Sequence, residues 1–432
     1  MLNKMTEVFD LFYQTTGVCT DTRKIEKDCL FICLKGANFN GNTFAEQALK
    51  DGAKYVIVDE KEFQTNEKIF LVKDALLYLQ QLANYHRLKF NIPIIGITGS
   101  NGKTSSKELI NAVLSSHYSV LATIGNLNNH IGVPLTLLRL TTEHEIAIIE
   151  MGANKFKDIE ELCAIAEPTH GIITNIGKAH LEGFLSFEGV LKTKKELYVS
   201  IANKKGIIIF NNDDDVLKSN LPEGIETISY GTSSDALIKG ELVNLSPFVE
   251  LKWSTKTYQS ELISTQMIGK YNFYNYLAAI SFGICFNVPF EKINSAIENY
   301  SPENNRSQVK KTERNTLILD CYNANPTSMK SALESFALIN HPNKYFIIGD
   351  MLELGEESIK EHQAISDLVH QLKLNGSSVG PIFNSLNQHS FEKKFNSKSD
   401  AIAYFESMNF SDKFILLKGS RGIGLESLET YL

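Results

Sequence analysis

Apolar residues in this chain gather into short unbroken runs bounded by Gly, Pro, Asn or Asp, and these runs alternate with segments of helical spacing. From Pro93 onward the runs are IIGIT (94–98), IAIIE (146–150), HGIITNI (170–176) and GIIIFNN (206–212). Continuous apolar runs, rather than strict in–out alternation, predict parallel strands covered on both faces. Residues 224–265 differ: ISYGT, FVELKW and YQSELIS alternate apolar and polar positions, the pattern of antiparallel strands. The apolar stretch NFYNYLAAISFGICF then predicts a buried helix.

Two more α/β patterns flank this one. CLFICLKG (29–36) and YVIVDE (55–60) predict strands, FAEQALKDGA and LLYLQQLANYHRLKF predict helices, and Pro93 begins something new. After Ser301-Pro302 the predicted strands are TLILDC (316–321), KYFIIGD (344–350), GPIFN (380–384) and KFILLKG (413–419). The pattern predicts an α/β protein of three domains, 1–91, 92–300 and 301–432, with a mostly parallel central sheet. A length of 432 residues suits several cores rather than one.

Composition narrows the function classes. Net charge is −7 and no dense basic block occurs, so a nucleic-acid partner has no electrostatic support. Apolar runs such as IPIIGI are far too short to span a bilayer, and MLNKMTEVFDLFYQ lacks the long apolar core of a signal peptide. Cys19, Cys29, Cys33, Cys163, Cys285 and Cys321 form no CxxC pair and are read as reduced, mostly buried thiols. A cytoplasmic location follows.

The most specific chemistry lies in IPIIGITGSNGKTSSKELINAV: a strand, a glycine-rich turn, then a helix. Gly99 and Gly102 allow a tight turn that aims backbone N–H groups at an anion. Lys103 adds a mobile charge for outer phosphates, Thr104 a hydroxyl for Mg²⁺, and the helix start its dipole. The loop is shorter than the literal G-x4-G-K-T pattern, which would place Gly where Ile97 stands. Glu150 closes the strand IAIIE at its C-terminal end, where parallel sheets bind ligands; such a residue alone is more often solvated or capping, and its value comes from the phosphate loop one crossover earlier. His180, in the polar loop TNIGKAHLEGF, is a structural residue or a metal ligand. On a helical wheel at about 100° per residue, Val190, Leu191, Leu197, Tyr198 and Ile201 of EGVLKTKKELYVSI form an apolar arc. Lys194 falls within it, whereas Lys192 and Lys195 lie outside. Lys194 is therefore either a buried, reactive amine, open to carbamylation into a metal ligand, or a snorkelling side chain.

Taken in order, TGSNGKTSSK, NLNNHIGVPLT (126–136), EMGA (150–153), TNIGKAHLEGF (174–184), KTKKEL and GKYNFYNYLAAI (269–280) resemble the central domain of Mur ligases. DCYNANPTSM (320–329), GDMLELG (349–355) and LKGSRGIG (417–424) resemble the third domain of that family. TDTRKI with LFICLKGANFNGNTFAEQALKDGA resembles its UDP-sugar domain. The resemblance implies a P-loop-type central domain, a small N-terminal α/β domain and a Rossmann-like C-terminal domain. It implies ATP contacts along Thr98, Gly99, Ser100, Asn101, Gly102, Lys103, Thr104 and Ser105, and at Asn275, Arg306 and Asp320. Mg²⁺ would be held by Thr104, Glu150, His180 and a modified Lys194, with Lys103, Lys194 and His180 as the catalytic set. Asp21, Thr22 and Arg23 would meet the uridine side of a UDP-N-acetylmuramoyl tripeptide. Asn128, Asn129, Asn323 and Asn325 would meet its muramoyl peptide or the incoming dipeptide. One departure is Cys321, where an acidic residue is expected; it is read as lying within the strand.

Within the family, YNANP and GDMLELG point to the ligase whose amine substrate is D-alanyl-D-alanine, acting as a monomer on an acyl phosphate. The alternatives are the third-residue-adding ligase, a folylpolyglutamate synthase-like enzyme, or an ATP-regulated switch that never ligates.

Overall fold

The computed structural model describes residues 7–177, 181–184, 186–386, 390–408 and 410–432. The chain divides into two compact units. One holds the segments up to Gly96, Ser119–Gly152 and Asp158–Thr169; the other holds Ile97–Tyr118, Ala153–Lys157 and His170–Leu432.

In the first unit, β1 (Val18–Cys19), β2 (Leu30–Ile32), β5 (Tyr55–Val58) and β6 (Ile69–Leu71) form a parallel sheet in the order β1-β2-β5-β6. Between them β3 (Lys35–Gly36) and β4 (Phe39–Asn40) make a small antiparallel ribbon. Cys29, Phe31, Cys33, Val56 and Val58 share one core with Ala45 and Ala48 of helix Ala45–Lys50, so the predicted strand–helix–strand pattern closes on itself. Helix Ala75–Arg87 starts at Asp74, whose carboxylate accepts the Leu77 N–H. Strand β7 (Ile94–Thr98) is entirely buried and belongs to both units. Its first-unit end pairs with β9 (Ile146–Glu150) through Ala147 N–H to Pro93 O, and β8 (Val120–Ala122) runs parallel to β9.

In the second unit the far end of β7 is bonded through Thr174 N–H to Thr98 O, just past β10 (His170–Ile173). From β10 the parallel order continues through β11 (Ile207–Asn211), β12 (Glu226–Gly231) and β13 (Ile238–Asn244). In this sheet β14 (Glu250–Ser254) and β15 (Ile263–Ser264) then add antiparallel pairs. The expectation that ISYGT is antiparallel is thus corrected. The crossover through helix Asp215–Lys218 carries the chain back to lay β12 alongside β11. The buried helix Lys270–Cys285 packs on helix Lys103–Ser115, and Gly283 permits the approach: a Cβ there would stand 2.8 Å from both Val113 and Ile293.

The remaining strands, β16 (Gln308–Lys311), β17 (Thr316–Leu319), β18 (Lys344–Gly349), β19 (Gly376–Val379), β20 (Lys393–Phe395) and β21 (Phe414–Lys418), form a second sheet in the order β16-β17-β21-β18-β19-β20. It is parallel except for β16. Apolar side chains lie on both faces: Phe336, Phe346 and Leu416 on one, Ile347, Phe405 and Leu417 on the other. Each such residue contributes roughly 1.5–3 kcal/mol by leaving water.

Two sequence expectations fail here. GPIFN is a helix, Pro381–Ser385, not a strand. Pro381 sits at its start, and the Asp350 carboxylate accepts the N–H groups of Ile382 and Phe383 at 2.8 and 2.9 Å. The strand is instead the polar GSSV; Ser377 is fully buried there and meets the Tyr345 hydroxyl. Cys321 lies beyond the end of β17, although it still packs with Leu317 and Leu319.

Burial against Phe286 pushes the His170 imidazole down to about 4. Because its folded value lies below the ordinary one, its contribution is fully present above pH 6.5 and is lost as pH falls towards 4. Stability should therefore fall by roughly 2 kcal/mol between pH 7.5 and pH 5 through this residue alone. His170→Phe should flatten that part of the profile in denaturant titrations at several pH values.

Candidate active site

The loop after β7 is shaped by two glycines and by the end of β10. Gly99 has φ +145° and Gly102 φ +77°, values that other residues rarely adopt. Space is a second constraint at Gly99, where a Cβ would lie 2.0 Å from Thr174 Oγ1. Thr174 and Asn175 bind the loop backbone directly. The Ser100 N–H donates to Asn175 O at 3.0 Å, and the Asn101 N–H to Asn175 Oδ1 at 3.0 Å. Asn101 O accepts from Thr174 Oγ1 at 2.6 Å and from Asn175 Nδ2 at 2.9 Å. Ser100 Oγ accepts the Gly177 N–H and donates to Gly177 O.

These bonds fix the turn while helix Lys103–Ser115 begins. The amides of Thr104 and Ser105 lie in its first turn, where N–H groups have no intrahelical acceptor, so the geometry suits an anion. Thr98, Ser100, Thr104 and Ser105 are all buried. Lys103 Nζ rests on Gly99 O at 2.7 Å and Ser100 O at 3.4 Å, within the loop whose charge it would complement. Asn275 supports the loop from helix Lys270–Cys285. Its Oδ1 accepts from Ser106 Oγ at 3.0 Å, its Nδ2 donates to Asn272 Oδ1 at 2.8 Å, and it would meet any Cβ on Gly102 at 2.9 Å.

The same unit gathers the residues of the C-terminal sheet. Asp320, just past β17, accepts from Lys418 Nζ at 2.7 Å and from the Ser307 N–H at 3.2 Å. Lys418 is buried, so the pair neutralises a charge that would otherwise be costly there. Arg306 stands between Asn305 and Ser307, both in the left-handed region with φ 55° and 51°. Its guanidinium lies 3.8 Å from the Tyr322 ring, and Arg421 reaches the Tyr322 hydroxyl at 3.1 Å. Arg306 Nε is buried with no hydrogen-bond partner among the described residues, a donor awaiting an acceptor. Asn323 is exposed and accepts the Ala324 N–H. Asn325 Nδ2 donates to Asn101 Oδ1 at 2.7 Å. Lys194 is 2 % exposed with its ammonium 5.7 Å from the Phe184 ring, while Lys192 is exposed; burial, not snorkelling, describes Lys194. His180 lies outside the described residues.

In the first unit Glu150 is 1 % exposed. Its Oε1 accepts from Asn128 Nδ2 at 2.8 Å, and its Oε2 has no hydrogen-bond partner among the described residues. A buried carboxylate oxygen left this way fits a cation, which would compensate its lost hydration. Asn129 Oδ1 accepts the N–H groups of Ile131 and Gly132, ordering the start of helix Gly132–Leu137. In the small sheet's loop, Asp21 and Arg23 make a bidentate pair at 2.9 and 2.8 Å with Thr22 between them. The bonds from Arg23 pull the Asp21 carboxyl down to about 2.

Comparison with known proteins completes the description. The family description "Mur ligase middle domain" matches residues 97–283, "Mur ligase, glutamate ligase domain" matches 305–421, and "Mur ligase family, catalytic domain" matches 14–87. The chain is 34% identical over 425 residues to the UDP-N-acetylmuramoyl-tripeptide--D-alanyl-D-alanine ligase of Bacillus subtilis (strain 168), covering 95% of this chain and 92% of that one. It belongs to the Mur ligase family. The ligase of the same description from Escherichia coli (strain K12) is 32% identical over 422 residues, covering 95% and 92%. The crystal structure of MurF from Acinetobacter baumannii superposes with a TM-score of 0.86 at 28% identity, over 97% of each chain.

Four side chains of this Mur ligase that shape the site were not singled out from sequence: Thr174, Asn175, Ser106 and Lys418. The first two stand in TNIG and Lys418 in LKGSRG, segments whose likeness to the family was legible although their contacts were not. Replacing Gly99 by Ala should drive a methyl into Thr174 and strain the turn. Affinity for an ATP analogue, measured by calorimetry, should fall by at least about tenfold.

Proposed function

We propose that this Mur ligase joins the amine of D-alanyl-D-alanine to the terminal carboxylate of a UDP-N-acetylmuramoyl tripeptide, at the expense of ATP. The observation that carries the reading is the loop 98–105, held open for an anion by Asn175, with Asn325 of the YNANP segment seated on it. Identity of 34% and 32% over 95% of the chain to relatives named for this ligation supports the same substrates. The domains are assigned as 1–91, 92–300 and 301–432, and the enzyme to the cytoplasm. Among the described residues no helix is long and apolar enough to cross a membrane.

A carboxylate is a poor electrophile, so it must first gain a leaving group. The tripeptide carboxylate attacks the γ-phosphorus of ATP, the bond to the β-phosphate oxygen breaks, and ADP departs. First-turn amides of helix Lys103–Ser115 and the Lys103 ammonium stabilise charge on the transferring group. Lys103 exchanges its contacts with the loop carbonyls for the outer phosphate oxygens. Asn275 keeps the loop floor in place, and Arg306 and Asp320 contribute nucleotide contacts from the C-terminal region. The dipeptide amine then attacks the acyl carbonyl, and the tetrahedral adduct releases phosphate. Asp21, Thr22 and Arg23 serve the uridine side, and Asn128, Asn129, Asn323 and Asn325 the peptide portions. Mg²⁺ would draw on Thr104, Glu150, His180 and a carbamylated Lys194, and would supply charge neutralisation across the outer phosphates.

Lys103→Ala should lower ligation by roughly 10²–10³-fold and leave binding of the UDP-linked tripeptide nearly unchanged. The assay mixes protein, ATP, Mg²⁺, tripeptide and dipeptide, and follows phosphate together with product mass. Ligation at the wild-type rate by this variant, or phosphate release indifferent to D-alanyl-D-alanine, would exclude the proposal.

A further inference from the structure

Helix Pro326–Leu338 begins beside the nucleotide loop, and every polar atom of its cap residue is used. The Asn325 N–H donates to Ser328 Oγ at 3.1 Å, and Asn325 Oδ1 accepts the Ser328 N–H at 2.9 Å, closing a capping box. The remaining group, Nδ2, donates to Asn101 Oδ1 at 2.7 Å. Asn101 is itself anchored by Asn175 at its N–H and by Thr174 and Asn175 at its carbonyl, so the backbone that carries its side chain is held. Gly177 makes room for the contact: a Cβ there would stand 3.2 Å from Thr327 Oγ1 and 3.5 Å from Asn101 Nδ2. Asn101 Nδ2 is buried with no hydrogen-bond partner among the described residues, so the amide that holds Asn325 has a donor unused.

We infer that Asn325 is a positioning residue that latches the start of helix Pro326–Leu338 onto the nucleotide loop, and that this latch protects the activated carboxyl from water until the amine arrives. The inference rests on the ligation reading and adds to it a role for one side chain. Two features recommend a latch over a simple cap. Capping needs only an oxygen acceptor, which Ser or Thr supplies as well as Asn. The contact to Asn101 needs an amide donor on a longer side chain. A single residue thus joins the order of its own helix to the position of the phosphate loop. The helix start also carries partial positive charge towards a place where phosphate charge develops. With the latch open, water attacks the acyl phosphate, phosphate leaves, and the original carboxylate returns: ATP is spent and no peptide bond forms.

The test uses Asn325→Ser, which keeps the cap but does not reach Asn101. The wild-type enzyme run alongside tests the ligation reading separately, because it must form product. Expected for N325S are an unchanged Tm, an unchanged Kd for a non-hydrolysable ATP analogue, and ligation turnover down about tenfold. Phosphate released per peptide bond should rise from about one to several. A cycle with Asn101→Ala guards against a stability effect. If the two residues act as one latch, the double variant should be no less coupled than N101A alone. Wild-type coupling in N325S, or losses in the double variant that multiply, would overturn the inference.

Discussion

The structure depends on a polar clamp between two strand ends. Thr174 and Asn175, leaving β10, take hold of the backbone of Ser100 and Asn101, leaving β7. An anion-binding turn must present amides outward without collapsing onto its own carbonyls. Here the Asn101 carbonyl and the Ser100 and Asn101 N–H groups are engaged from behind by the neighbouring strand end. The first turn of helix Lys103–Ser115 is therefore left to face a ligand. The clamp bonds are part-buried and the Ser100–Gly177 bonds beside them are buried, where a lower local dielectric strengthens each one and holds the turn. The glycines follow from it: Thr174 stands where a side chain on residue 99 would go, and Asn275 where one on residue 102 would go.

A comparable economy organises the C-terminal region, where Ser420 ties three strand-end loops together. Its Oγ donates to Ala324 O and accepts the Leu352 N–H, and its own N–H donates to Asp350 O. The segments YNANP, GDMLELG and KGSRG are thus fixed to one another by one buried hydroxyl. Lys418, two residues earlier, neutralises Asp320, which also orders the turn that presents Arg306. Asn325 emerges from this frame and reaches Asn101. A short polar contact thus joins the C-terminal region to the nucleotide loop, beside the apolar packing of Ile268 with Met329 and Leu333.

Much of this was legible in the sequence where one physical rule dominated. Unbroken apolar runs marked β7, β9, β10 and β11 because a doubly covered parallel strand has no wet side. The wheel placed Lys194 within the apolar arc and Lys192 outside it, in keeping with one buried and the other exposed, but it left open whether the Lys194 head snorkels to water. The reading failed where polar residues are buried or turn chemistry competes. GSSV is a strand whose two serines are buried, Ser377 meeting the Tyr345 hydroxyl, which no hydropathy pattern announces. GPIFN looked like a strand, yet its proline and the distant Asp350 carboxylate make it a helix start. Contacts such as Asn175 to Asn101, 74 residues apart in sequence, depend on strand order, which local pattern does not encode.

The central claim is that residues 98–105 bind the phosphates of ATP in a site built by the Thr174–Asn175 clamp. A crystal structure with a non-hydrolysable ATP analogue and Mg²⁺ tests it most directly. The account requires the β- and γ-phosphates to lie against the amides of Gly102–Ser105, with Lys103 turned from the Gly99 and Ser100 carbonyls onto phosphate oxygen. An analogue bound in another crevice, with Lys103 still on those carbonyls and the loop unengaged, would contradict it.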